Sequence, residues 1–263
     1  MSRLIRIVSL LLSYPTAELQ AAAPDLRAAI AAEPTLAPDL AGNLARLVDH
    51  IAGQDLYDAQ EAYVLLFDRT RVLSLHLFEH VHGESRDRGQ AMVDLKDMYE
   101  AAGFVIAARE LPDHLPLFLE YLSTRAPDEA AGLLDQIAHI TQALHARLVA
   151  RDNPYAAALA VLVALAAASP AHTAPDPAVV AGLMAMPDDD PTDLEALDRI
   201  WEEEAVMFGA AGAGTDSCGP DRLRRQLRAA ARPAPATHAP APATPASAAA
   251  TTHAPTMPSR ETV

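Results

Sequence analysis

Within the stretch LSLHLFEHVHGESRDRGQAM, residues 73–92, stand His76, His80 and His82, with Glu79 and Glu84 among them and Arg86 and Arg88 close behind. His76 and His80 are four apart, so on a helix they share a face and would hold one metal ion, with Glu79 or His82 as a further ligand. The pattern is not H-E-x-x-H, because Leu77, Phe78 and Glu79 follow His76. Gly83, directly after His82, ends such a helix. The same residues support two other readings. Arg69, Arg71, Arg86 and Arg88 would pair with Glu79, Glu84, Asp68 and Asp87 and lock a corner between two helices. Alternatively, Leu73, Leu75, Leu77 and Phe78 set apolar area beside charged hydrogen-bonding groups, the make-up of a ligand or peptide groove.

A second local constellation is ELPDHLP, residues 110–116. Pro112 and Pro116 fix the backbone between two helices, so Asp113 and His114 sit on a rigid hinge. Asp113 is placed to cap the following helix, which carries Phe118, Leu119 and Leu122. An Asp–His pair is also part of a catalytic triad, but no nucleophile stands at a recognisable spacing and no G-x-S-x-G elbow occurs. Neither G-x-G-x-x-G nor G-x-x-x-x-G-K-[ST] is present, which leaves dinucleotide folds and P-loop NTPases without support.

The elements that must position these residues have helical periodicity nearly throughout. Ala91, Met92, Leu95, Met98, Tyr99 and Ala102 form one stripe over 86–103, and Gly103 stops it. Leu133, Leu134, Ile137, Ile140, Leu144 and Leu148 repeat the arrangement in a helix over 128–151. Asn153 and Pro154 open an Ala-rich helix, buried but too short for a bilayer span. Asp193 opens a last helix with Leu194, Leu197, Trp201 and Phe208 on one side. Strand-length alternation is missing and prolines punctuate the helices, so the fold class is an all-α bundle of about nine or ten helices.

The boundary falls near residue 209. Residues 1–209 form the helical domain; 210–263 form a Pro/Ala/Thr-rich tail with too little apolar mass to fold, apart from a short basic helix over 220–232. The formal net charge of -15 divides along the same line. From Ala210 onward, six arginines face Asp216, Asp221 and Glu261; the preceding residues carry 14 of the 20 basic and 32 of the 35 acidic side chains. So acidic a body repels nucleic acid and anionic membrane and suits a basic partner. Cys218 is the single cysteine, which excludes an intramolecular disulfide and fits a reducing cytoplasm. The apolar run at Ile7–Leu12 is shorter than the core of a secretion signal, so no export is expected.

Three blocks in order, YVLLFDRTRVLSLHLFEHVHGESRDRGQAMVDL (63–95), ELPDHLPLFLEYLS (110–123) and LDRIWEEEAVMFG (197–209), resemble the NarJ family, as does the opening LLSYPTAEL (11–19). These are nitrate reductase molybdenum cofactor assembly chaperones within the wider TorD/DmsD group. The resemblance implies an all-helical, cytoplasmic, non-enzymatic chaperone without a cofactor of its own, acting as a monomer or weak dimer. Its implied partner is the apo catalytic subunit of respiratory nitrate reductase, bound through its N-terminal segment and kept competent for molybdenum cofactor and iron–sulfur insertion before membrane docking. It also implies partner-peptide contacts at Glu110, Pro112, Asp113, His114 and Leu115, and at Phe78, Glu79, His82 and Arg86 of the central motif. Two rivals remain: a metal-dependent helical enzyme using His76, His80 and Glu79, and a carrier gripping the phosphates of a molybdopterin nucleotide with Arg86 and Arg88.

Overall fold

The computed structural model describes residues 1–83, 85, 87–107, 110–169 and 172–187. The expected helix from Asp193, the domain boundary near 209 and the basic segment at 220–232 lie outside these residues, as do Glu84 and Arg86.

Apolar spacing does build helices. In α1 (Ser2–Leu11) the buried Leu4, Ile5, Ile7, Val8 and Leu11 make a wide stripe. It packs against α8 (Leu115–Ser123), itself buried along most of its length. A polar tie crosses this apolar contact, where Ser9 Oγ donates to the Pro116 carbonyl at 2.7 Å. Between them in sequence run α2 (Ala17–Ala21), α3 (Ala23–Ala31), α4 (Pro38–Ala52), α5 (Leu56–Tyr63), α6 (Leu77–His82) and α7 (Asp87–Ala101). After α8 come α9 (Pro127–Gln136), α10 (Ala138–Ala150), α11 (Ala156–Ala167) and α12 (Pro177–Met184). The Ala-rich α11 is central, touching α1, α4, α9 and α10, and its Leu159, Val161 and Leu162 are fully enclosed. No helix among the described residues is long and apolar enough to cross a membrane.

The all-α reading holds, but the described residues alone hold twelve α-helices, more than the nine or ten expected, because two segments break. Pro24 cannot donate to the Gln20 carbonyl, so the chain restarts between α2 and α3. The single helix expected over 128–151 turns at Ile137, whose amide donates to the Leu134 carbonyl at 3.2 Å, three residues back, where an unbroken α-helix would use Leu133. Ile137 is nonetheless buried, so the bend keeps one apolar stripe on the core. A smaller correction falls at Asn153. Its side chain accepts the Tyr155 amide at 3.0 Å in a turn, and α11 begins only at Ala156.

Gly103 ends α7 as expected. At φ +75° it donates to Glu100, while Phe104 donates to Tyr99 at 2.8 Å, a Schellman closure with the two rings 5.6 Å apart. Between α5 and α6 the backbone widens into a π-helical turn over Val64–Asp68, closed by the Arg69 amide on the Val64 carbonyl at 3.1 Å.

Candidate functional site

The two constellations, 37 positions apart, meet. An isolated antiparallel bridge pairs His76 with His114, the one β pairing among the described residues. The Leu77 amide donates to the Asp113 carbonyl at 3.0 Å, and the Leu115 amide donates to the Leu75 carbonyl at 2.8 Å. This latch joins the N-terminus of α6 to the N-terminus of α8.

Asp113 is its centre. The side chain is fully buried, one oxygen accepting the Phe78 amide at 3.0 Å and the other lying 3.2 Å from His76 Nδ1. First-turn amides of a helix lack partners within it, so a carboxylate at that position satisfies a donor and complements the helix dipole. Asp113 therefore caps α6, not its own helix: α8 begins after His114 without a side-chain cap. The sequence misassigned this cap because the partner helix is remote in the chain. Pro112 is fixed from a third side, where Tyr99 Oη of α7 donates to its carbonyl at 2.8 Å.

The surrounding groups are electrostatically coupled. The hydrogen bond to Asp113 raises the His76 pKa, against the opposing effect of burial. Burial, and then the nearby His76, push His114 down to about 4. Their rings lie 5.2 Å apart, tilted by 36°. Burial raises the Asp68 carboxyl, and the negative charge of Glu110 adds to this while His76 opposes it. The site thus presents two half-buried imidazoles, with the exposed Asp68, Glu110 and Leu111 around them.

The remaining expected residues divide into those that hold and those that face solvent. Leu115 and Phe78 are enclosed, as are Leu73, Leu75 and Leu77, so this apolar run belongs to the core and does not line an open groove. Glu79 and Arg88 form an ion pair at 3.0 Å between α6 and α7, each side chain about one-fifth exposed. This is one of the corner-locking pairs expected from sequence. His82 is half-buried with its ring 5.5 Å from that of Phe78. Glu110 is exposed.

The proposed metal ligands do not converge. His76 turns Nδ1 to Asp113, His80 donates from Nε2 to the Ser74 carbonyl at 2.7 Å, and Glu79 engages Arg88. Among the described residues, no group of three or more His, Cys, Asp or Glu side chains is placed to hold a metal ion. Arg88, one of the two arginines suggested for gripping phosphate, is committed to Glu79.

Two contributors escaped sequence reasoning. Tyr99 reads only as part of an apolar stripe, and Asp68 only as an ion-pair partner; the π-helical turn that ends at Asp68 leaves no periodic trace in the sequence.

The chain matches the family model described as "Nitrate reductase delta subunit" over residues 33–161, which spans both sides of the latch. It is 46% identical over 219 residues to the nitrate reductase molybdenum cofactor assembly chaperone NarJ of Escherichia coli (strain K12), covering 83% of this chain and 90% of that protein. The chain belongs to the NarJ family of assembly chaperones. NarW of the same strain, named a probable chaperone of this kind, is 39% identical over 206 residues, 78% of this NarJ-family chain and 84% of NarW. The probable NarJ of Bacillus subtilis (strain 168) is 32% identical over 157 residues, 60% of this chain and 84% of that protein.

Proposed function

We propose that this NarJ-family chain is a dedicated chaperone of respiratory nitrate reductase. It binds the N-terminal segment of the apo catalytic subunit, in the cytoplasm, and keeps that subunit competent for molybdenum cofactor and iron–sulfur insertion before membrane docking. Family membership supports the general role.

The observation that carries the binding mode is the latch. It fuses the proline-framed 110–116 segment to the histidine-rich 76–82 segment as one rigid unit, so a partner meets both together. Within that unit Asp113, Leu115 and Phe78 act from inside, by holding the backbone. Glu110, Pro112, His114, Glu79 and His82 are the side chains a partner can reach, and Arg86 belongs to the same central motif. Exposed Leu111, next in the chain to Glu110, whose charge reaches Asp68, suits a short amphipathic segment carrying Lys or Arg. Apolar burial contributes roughly 25 cal/mol per Å², while rim charges orient and accelerate the encounter. A segment that orders on binding loses entropy, so affinity stays moderate and release remains open.

The test is calorimetric titration of the full chain with a peptide of the cognate catalytic subunit's N-terminus, beside an Asp113→Ala/His114→Ala variant whose fold is checked by circular dichroism. Saturable one-to-one binding by the wild type, weakened in the folded variant, is expected. A folded wild type that does not bind overturns the reading. Cell fractionation tests the compartment, and recovery of the chaperone outside the cytoplasmic fraction refutes that part.

A further inference from the structure

His76 stands in the sequence reading as a metal ligand, and the latch gives it a different posture. Its backbone is pinned from both sides, because the residues before and after it, Leu75 and Leu77, hydrogen-bond to Leu115 and Asp113. Its ring is pinned through one nitrogen, Nδ1, at 3.2 Å from the buried Asp113. The side chain keeps 27% of its surface open, and among the described residues no partner meets Nε2. A ring held by Nδ1 has its other nitrogen aimed in a fixed direction, since the two lie on opposite edges of the imidazole. The neighbouring ring of His114 further restricts rotation.

We propose that His76 is a partner-contact residue, its Nε2 hydrogen-bonding an open main-chain group of the docked segment, with Asp113 as the residue that positions it. The inference rests on the reading that this surface docks a peptide. A short helical segment has such groups at both ends, where amides and carbonyls lack partners inside the helix. An orientation fixed beforehand spares the binding step the cost of ordering the ring.

Two substitutions separate the two nitrogens. In His76→Asn the amide overlies Nδ1 and still donates to Asp113, but nothing reaches the Nε2 position. In His76→Gln the amide overlies Nε2 and loses Asp113. Both are made in the full chain and titrated with the same N-terminal peptide, with thermal unfolding alongside. His76→Asn is expected to melt within about 2 °C of the wild type and to bind roughly tenfold more weakly, ~1.4 kcal/mol. His76→Gln is expected to melt lower yet bind more tightly than His76→Asn. A purely structural His76 gives the opposite order of affinities.

Wild-type affinity in His76→Asn overturns the inference and leaves the docking reading standing. Absence of peptide binding by the folded wild type overturns the docking reading, and this inference with it. Ring nitrogen-15 NMR adds an independent readout: the His76 Nε2 resonance shifts on saturation with peptide, and one that stays in place refutes the contact.

Discussion

The carboxylate of Asp113 accepts the main-chain amide of Phe78 at 3.0 Å, across 35 positions of sequence. A hydrogen bond to a charged acceptor in a fully buried site contributes more than a neutral one, and here the same side chain also holds His76. Asp113→Ala removes both and leaves the Phe78 amide without a partner. A loss of about 3 kcal/mol is expected, read from urea unfolding midpoints. Asp113→Asn, which keeps an acceptor for Phe78, loses less.

Acidification is expected to destabilise the fold through His114. Its pKa in the folded chain, about 4, lies below the ordinary histidine value because burial disfavours the charged ring. The unfolded chain therefore takes up this proton first, and stability falls as pH drops from the ordinary value towards 4. This one group accounts for up to about 3 kcal/mol. Burial lowers His80 and His139 as well, which adds to the same trend. His76 works the other way: its raised pKa stabilises below the ordinary value, and that contribution disappears as pH rises through the folded pKa. Unfolding midpoints between pH 7.5 and 4.5 check this, with His114→Gln flattening the dependence and His76→Gln steepening it.

Gly103 adopts φ +75°, a conformation that strains residues bearing a Cβ even though no atom lies in the way of one. Gly103→Ala is expected to cost about 1 kcal/mol. Thermal unfolding measures this, and an unchanged midpoint shows that the Schellman closure relaxes without penalty.

Arg147, on α10, is almost wholly buried and donates to the carbonyls of Leu183 and Met186 at 2.8 and 3.1 Å. It thus caps the C-terminal end of α12, a helix with no fully buried residue of its own. Arg147→Met should raise amide exchange across 177–184 more than in α1 or α8, with a stability loss of about 2 kcal/mol. Exchange mass spectrometry resolves the two effects.

These cases also show what the sequence made legible. Helix periodicity and the stop at Gly103 are local properties, written in neighbouring residues, and both were readable. The bend at Ile137 was not, because its apolar stripe continues unbroken through the turn and only the hydrogen-bond partners change. The 110–116 and 76–82 segments each announced themselves through proline framing and clustered histidines. Their union did not, since Asp113 reads equally well as a cap for the helix beside it, and only the folded chain shows which amide it accepts. Burial is likewise a tertiary property: Leu73, Leu75, Leu77 and Phe78 have the composition of a groove and the location of a core.

The latch also makes residues 77–112 an excursion with a closed base. Leu75 and Leu77 hydrogen-bond to Leu115 and Asp113, so the two ends of the excursion stay together whatever lies between them. Doubling the length of a flexible closed loop costs only about 0.6 kcal/mol. Insertions or deletions between α7 and Pro112 can therefore be tolerated without separating the two histidines. Variation in chain length should concentrate inside this excursion, while its base keeps a constant geometry.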